Sequence, residues 1–232
     1  MFKRFCRNVL RNHLSYNLNN KKMLSDRSNF VKQNIDYFLV LDFEATCDRV
    51  KQPLPMEIIE FPVLKMNAHT FEIENVFHRY VRPTINPTLS LFCIKLTNIL
   101  QETLDDAENF ETVLHDFKIW MMECGLVNSE EVPLKKFAFV TYGDSDLKKL
   151  LPRQCKALQI FPPNYMEHWI DIRKSYTDGI NTSWPSGQTK LMTELNIEPV
   201  GKSHSGINDA YDLANIIIEL GKLHIIDYFF KG

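Results

Sequence analysis

Hydrophobic residues form short continuous runs in the middle of the chain, and these runs predict strands. The run 37–41 (Tyr-Phe-Leu-Val-Leu) is typical of a strand that is buried on both faces. Two further runs, 58–66 and 71–81, are separated by the four residues 67–70, which predicts a β-hairpin. A fourth run, 137–142, has the same character. We therefore expect three neighbouring strands early in the chain and another buried strand later.

Apolar residues at helical spacing follow these strands. They predict helices over 88–100, 109–124, 146–158 and 209–220. Pro83 and Pro87 mark a loop before the first of these helices. Strands followed by amphipathic helices indicate an α/β domain in which helices cover a sheet.

Composition limits the class of protein. The 232 residues are 44% hydrophobic and 24% charged, as in an ordinary globular domain. No apolar run approaches the roughly 18 residues that span a bilayer, so we expect no membrane segment. The chain has five widely spaced cysteines and no CxxC pair, which favours reduced thiols and an intracellular location in the cytoplasm or nucleus.

The first thirty residues differ from the rest, because they carry seven basic residues and one acidic residue. Phe2, Phe5, Val9 and Leu10 lie at helical spacing among the basic residues, as in a mitochondrial presequence, and Met23 offers an alternative start. A disordered basic tail is the other interpretation. We expect residues 1–35 to be a basic extension, disordered or targeting, and residues 36–232 to be the functional domain. The remaining chain is acidic, so any nucleic acid must be held by local contacts.

Asp42 and Glu44 directly follow the first predicted strand. Side chains alternate along a strand, so both carboxylates point to one face while Phe43 points into the core. Two carboxylates on one side can hold a cation. Unpaired acids beside a buried strand are costly, and no Lys or Arg adjoins them in the sequence. The pattern DxE is also common at strand ends, so this motif alone leaves a structural interpretation open.

Asp146 lies four residues after the predicted strand 137–142. Either Asp144 or Asp146 is suited to capping the helix that follows. Asp144 is better placed as the cap, which leaves Asp146 in the first turn with its side chain toward the sheet. We therefore predict that Asp146 is the functional acid.

His204 precedes Asp209 by five positions, and Gly206 permits a tight loop between them. The helical pattern begins just afterwards, which places the histidine on a loop and the aspartate on a helix. An imidazole in this position is suited to accept a proton from an attacking water. A solvent-facing histidine without a function is the alternative. Asp212, one helical turn after Asp209, is a weaker candidate ligand.

Taken together, these residues resemble the DEDD 3′–5′ exonucleases, whose motifs are DxE, a separate Asp, and HxxxxD. His204 and Asp209 match the histidine subtype, DEDDh. The flanking stretches 41–47, 57–62, 80–83, 92–93 and 204–207 are similar to those of the ERI group. The resemblance runs from about residue 36 to residue 220.

This resemblance implies an RNase H-like fold, with a mixed five-stranded sheet flanked by helices. It implies that two Mg²⁺ or Mn²⁺ ions are held by four carboxylates, those of Asp42, Glu44, Asp146 and Asp209. His204 would be the general base and would also contact substrate, and Glu44 would share the catalytic task. The Ala45 backbone would contact the terminal nucleotide. Phe92 would either stack near its base or belong to the core.

The implied reaction is hydrolysis of RNA from the 3′ end to 5′-nucleoside monophosphates by a monomer. DNA with 3′ overhangs is a further candidate substrate. Two other functions stay open: an RNase H-like endonuclease, which the HxxxxD form of the third motif disfavours, and a catalytically silent RNA-binding or interaction protein. Stepwise shortening of a 5′-labelled substrate from its 3′ end would distinguish the exonuclease from the endonuclease and from the silent binding protein.

Overall fold

The structure is a computed structural model, and it describes residues 34–180 and 187–222. The predicted basic extension, residues 1–35, falls almost entirely outside this part of the chain, so the targeting and tail hypotheses both stay predictions. No helix within the described ranges has the length and apolar character needed to cross a membrane. The four cysteines in these ranges, Cys47, Cys93, Cys124 and Cys155, are free thiols.

One mixed sheet organises the described residues. Its six strands are β1 (Tyr37–Leu41), β2 (Glu44–Ala45), β3 (Ile58–Asn67), β4 (Ile73–Tyr80), β5 (Phe137–Thr141) and β6 (Trp169–Asp171). β1 is central, since it pairs antiparallel with β3 and parallel with β5. β2 and β4 both pair antiparallel with β3, and β6 pairs parallel with β5. The mixed sheet is confirmed, with six strands instead of five because β2 adds a two-residue strand.

Helices cover both faces of this sheet. They are α1 (Leu91–Thr97), α2 (Gln101–Asp105), α3 (Phe110–Glu123), α4 (Leu151–Ala157), α5 (Ile172–Ile180), α6 (Gln188–Glu194) and α7 (Gly206–Lys222), with a π-helical turn at Ser145–Leu150 and a 3₁₀ turn at Asn164–Met166. The helix predicted at 88–100 is shorter, because the Ser90 side chain caps its start and Asn98 ends it in the left-handed conformation. Asn109 caps α3 through its side chain in the same way.

β1 divides the core into two layers. Phe38 and Val40 point to one face and pack in the cluster that includes the buried side of α7. Leu39 and Leu41 point to the other face and pack with Phe117 of α3. These four β1 side chains are fully buried, as the sequence predicted. The parallel strands β1 and β5 end at the same edge of the sheet, and the candidate residues collect there.

Candidate active site

The first motif lies where β1 ends and β2 begins. Phe43, between the two acids, is buried and meets the Phe61 ring edge-on at a centroid distance of 4.7 Å. This contact turns Phe43 into the core and leaves Asp42 and Glu44 on the side away from it. Glu44 is 9% exposed and lies opposite Glu60 of β3. The strand-end geometry therefore places two acids beside a third buried acid.

Asp146 lies on the π-helical turn that follows β5. The chain reaches this turn through Gly143, whose φ of +95° is a conformation that favours glycine. Asp146 is 8% exposed, and its carboxylate accepts a hydrogen bond from the Phe43 backbone N–H. This bond joins the second motif to the first. π-helical turns concentrate at functional sites, and this one replaces the first turns of the predicted helix 146–158.

Asp144 occupies the N-cap position and Asp146 the first turn, as predicted, but the Asp144 side chain forms no capping hydrogen bond, so only the side-chain cap is wrong. The carboxylate instead forms an ion pair with Lys148 at 2.7 Å, on the surface. Lys148 lies four residues after Asp144, which is the spacing at which oppositely charged side chains pair on a helix surface. Asp144 and Asp146 therefore have separate environments, one exposed and paired, the other buried beside the first motif.

The third motif spans the loop before α7 and its first turn. His204 is exposed and has a φ of +63°, and its backbone N–H donates to Asp209 Oδ2 at 2.7 Å. The Asp209 N–H in turn donates to the Ser205 carbonyl at 2.9 Å. Ligand atoms of Glu44, His204 and Asp209 all lie within 4.8 Å of one another, a spacing that suits a shared cation.

Gly206 and Glu60 form the contacts between the third motif and the sheet. Gly206 packs against the first motif so closely that a Cβ atom there would lie 2.7 Å from the Asp42 carbonyl oxygen. Glu60 accepts hydrogen bonds from the backbone N–H groups of Gly206 and Ile207. Glu60 belongs to none of the three motifs, although a glutamate inside an apolar strand is a usable sequence signal.

Asp212 is buried, and burial raises its pKa to about 6. Its carboxylate accepts a hydrogen bond from the backbone N–H of Val200 at 2.8 Å. This bond ties the segment that leads into the third motif to α7. This bond gives Asp212 a structural role and weakens it further as a candidate ligand.

The site is crowded with negative charge. Burial, together with Asp146, Asp209 and other acids nearby, holds the pKa of Asp42 well above its usual range. Burial first, then the charges of Glu60 and Asp209, raises the pKa of Glu44 to about 8. These shifts mean that the metal-free site tends to take up protons near neutral pH.

The other two acids behave in the same way. Burial raises the pKa of Asp146 to about 7. Burial, followed by the charges of Asp212 and Glu60, raises the pKa of Asp209 to about 7. Among residues 34–180 and 187–222, no Lys or Arg forms an ion pair with any of these four carboxylates. Buried carboxylate oxygens without a protein cation fit a hard divalent ion such as Mg²⁺ or Mn²⁺.

α1 borders the same edge of the sheet. The Cys93 thiol donates to the Ala45 carbonyl at 3.7 Å, which ties this helix to β2. Phe92, on α1, is 37% exposed, so it is a surface residue and the core interpretation is wrong. An exposed aromatic ring on the helix that contacts Ala45 is available to stack with a base.

A mixed sheet with four buried or half-buried carboxylates and a histidine at one edge is the arrangement of DEDDh exonucleases. The family described as Exonuclease matches residues 39–217, and the chain belongs to this family. The human protein ERI1 exoribonuclease 3 is 43% identical over 189 residues, which cover 81% of this chain and 54% of that protein. The chain thus spans about half the length of these curated relatives.

Solved structures give the same relationship. The nuclease domain of 3′hExo, a DEDDh family member bound to rAMP, superposes with a TM-score of 0.77 and 35% identity over 86% of this chain and 96% of that chain. A 3′-exonuclease in a structure of 3′-end specific recognition of the histone mRNA stem-loop has a TM-score of 0.76 and 34% identity, covering 85% of each chain. The resemblance to DEDDh exonucleases of the ERI group is confirmed, as is the RNase H-like fold.

Proposed function

We propose that this protein is a divalent-metal-dependent 3′–5′ exonuclease that degrades RNA to 5′-nucleoside monophosphates. The observation that carries this proposal is the meeting of two buried acids (Glu44, Asp146), two half-buried acids (Asp42, Asp209) and His204 at one sheet edge, with no protein cation paired to the acids within the described ranges. The named relatives are exoribonucleases, and the rAMP bound to 3′hExo belongs to the class of product that we propose.

Four carboxylates would hold two Mg²⁺ or Mn²⁺ ions, namely those of Asp42, Glu44, Asp146 and Asp209. When bound, such ions act as Lewis acids that stabilise negative charge on the reacting phosphate. The raised pKa values support this assignment, since a cation would supply the positive charge that the protein itself does not place there.

His204 is proposed as the general base. Its side chain is exposed beside Glu44 and Asp209, so it can accept a proton from the attacking water and release that proton to solvent. The Glu44 carboxylate, on the inner side of the same group, is placed to orient that water. The Ala45 backbone and the Phe92 ring would bind the terminal nucleotide, with Phe92 stacking on its base.

A labelled-substrate experiment tests this function. A 5′-labelled single-stranded RNA in Mg²⁺ should shorten stepwise from its 3′ end and release 5′-monophosphates, and EDTA should stop the reaction. Circular RNA of the same sequence should stay intact. Cleavage of the circle would favour the endonuclease, and RNA binding without any cleavage in Mg²⁺ would favour the silent binding protein. The rate on a DNA with a 3′ overhang, compared with the rate on RNA, measures whether the protein prefers ribose or deoxyribose.

Two neighbouring acids give a matched pair of variants. Asp146→Asn should abolish nucleotide release, because it removes a buried candidate ligand. Asp144→Asn should keep wild-type activity, because that carboxylate is exposed and paired with Lys148. Equal loss in both variants would contradict the assignment of the second motif.

A further inference from the structure

Glu60 is a buried carboxylate next to the candidate active site, outside the four proposed ligands. It lies near the start of β3, is 1% exposed, and has the buried residues Ile59 and Phe61 on either side. A charged group in such a position is costly unless several hydrogen bonds compensate its lost hydration. The contacts of its two oxygens therefore indicate what this residue does.

Both Glu60 oxygens are engaged by the third motif and by the neighbouring strand. Oε2 accepts the Gly206 backbone N–H at 2.9 Å, and Oε1 accepts that of Ile207 at 3.2 Å. Oε1 also lies 2.7 Å from Nε2 of His78 in β4, whose side chain is 3% exposed. The two bonded amides belong to the first turn of α7, and they lie between His204 and Asp209 in the chain. Glu60 therefore connects the rigid β3–β4 pair to the segment that carries both groups.

The connection is sensitive to small displacements. His204 is in the left-handed conformation, and its N–H donates a hydrogen bond to Asp209 Oδ2, so this bond links the two residues across the turn between them. The Gly206 backbone packs directly on the Asp42 carbonyl oxygen. A shift of the Gly206 amide would therefore change the distance from His204 and Asp209 to the first motif.

A charged side chain is not needed to provide hydrogen-bond acceptors for the free backbone N–H groups at the start of a helix. Serine, threonine or asparagine can cap a helix without placing a charge in the interior. Glu60 instead lies directly opposite Glu44 across the β2–β3 pair, an arrangement of like charges that is unfavourable in the absence of cations. Its negative charge does suit the positive end of α7, and it adds to the field that attracts divalent ions.

We propose that Glu60 is a positioning residue of this nuclease: held by His78, it binds the Gly206 and Ile207 amides and fixes His204 and Asp209 against Asp42 and Glu44. Glu60 acts through these residues and touches no substrate atom. This inference rests on the proposed function, because positioning is measured through the reaction that the site performs.

Glu60→Gln is the direct test, with Glu57→Gln as its matched control. In Glu60→Gln an amide NH₂ replaces one accepting oxygen, so one bond to the third motif is lost in either orientation: that from Gly206 if Oε2 is replaced, or that from Ile207 if Oε1 is replaced. Glu57 is also fully buried and accepts backbone N–H groups, but these belong to Thr84, Ile85 and Asn86, outside the third motif. We expect kcat of Glu60→Gln to fall roughly 10- to 100-fold while KM for RNA changes by less than about threefold. The control should lose thermal stability but keep kcat within about twofold.

Two substitutions of His78 provide a second test that does not alter Glu60. His78→Gln retains a side-chain N–H that can donate to Glu60, whereas His78→Leu removes it. We expect His78→Gln to keep most of kcat and His78→Leu to lose it. Hydrogen exchange of the peptide 203–210 should be faster in Glu60→Gln and His78→Leu than in the wild type, and unchanged in Glu57→Gln. This readout requires no catalytic turnover.

The outcomes separate this inference from the proposed function. A wild-type protein that releases no nucleotides from any RNA or DNA would refute the proposed function, while the exchange measurement would still report on the turn. An active wild type together with a folded Glu60→Gln variant of equal kcat would overturn the positioning role alone. Equal losses of kcat in Glu60→Gln and Glu57→Gln would also overturn it, since Glu60 would then act only on stability. If Glu60→Gln does not fold, the two His78 variants decide.

Discussion

Removal of divalent cations should make the stability of this protein fall as pH rises from 6 to 8. Glu44 has its pKa raised to about 8 in the folded, metal-free state. A group with a raised folded-state pKa binds its proton more tightly in the folded than in the unfolded protein. Its contribution to stability is complete below the unfolded pKa and is lost as pH rises through the folded pKa. The window of loss therefore extends from about pH 4.5 to about pH 8.

The size of the effect follows from the linkage relation. One such group costs up to about 1.4 kcal/mol for each pH unit inside its window and half of that at its folded pKa, so Glu44 alone costs about 2.3 kcal/mol between pH 6 and pH 8. A change of 1 kcal/mol moves the unfolding midpoint of a domain of this size by about 2–4 °C. We therefore expect the midpoint in EDTA to fall by about 5–9 °C over this range. Asp146 and Asp209, whose pKa values are raised to about 7, also lose protons in this pH range. Because they interact with Glu44, their contributions to the loss of stability are not independent of the Glu44 contribution.

Thermal unfolding in EDTA and in Mg²⁺, at pH 6, 7 and 8, measures the effect. Mg²⁺ should raise the midpoint more at pH 8 than at pH 6, because the cation binds the ionised acids and protons compete with it. Glu44→Gln should be more stable than the wild type in EDTA at pH 8 and should show a flatter pH dependence. Asp144→Asn, which changes an exposed acid, should follow the wild-type curve. A wild-type midpoint in EDTA that stays level from pH 6 to pH 8 would refute the electrostatic reasoning.

Three further substitutions test other parts of the site. His204→Asn should remove the acidic limb of the pH–rate profile, and an unchanged limb would count against a general-base role. Phe92→Ala should raise KM for RNA and leave the free energy of unfolding within about 0.5 kcal/mol, because the ring is exposed; an unaltered KM would argue against stacking. Gly206→Ala should destabilise the protein by about 1–3 kcal/mol, since its Cβ would lie 2.7 Å from the Asp42 carbonyl, whereas Gly187→Ala, with nothing within 4 Å, should fold normally.

The parts of this molecule that the sequence predicts are those with a strong local signal. β1, the β3–β4 hairpin, β5, α3 and α7 carry continuous or periodic apolar residues, and the three motifs lie next to the ends of β1, β5 and α7. β6 has only three residues and α2 only five, so neither shows a readable period. Their existence depends on pairing and packing with parts of the chain that are distant in sequence.

Side-chain partners were harder to predict than motif positions. Asp144 has the position of a cap but is bound by Lys148, and nothing in the order of residues decides between those two partners. In the sequence Glu60 is only one acid within an apolar stretch, and its contact with Gly206 is visible only in the folded structure. Contacts between strand and helix over such separations follow from the tertiary fold and not from local periodicity.

The attachment of α7 to β3 has a consequence for the synthesis of this protein. Gly206 follows Glu60 by 146 positions, so the contact forms only after most of the domain has left the ribosome. A nascent chain that ends before residue 204 has the acids of the first two motifs but neither His204 nor Asp209. Such a chain should be unable to degrade RNA. The proposed activity would thus appear only after the segment that carries the third motif has been translated and has packed against β3.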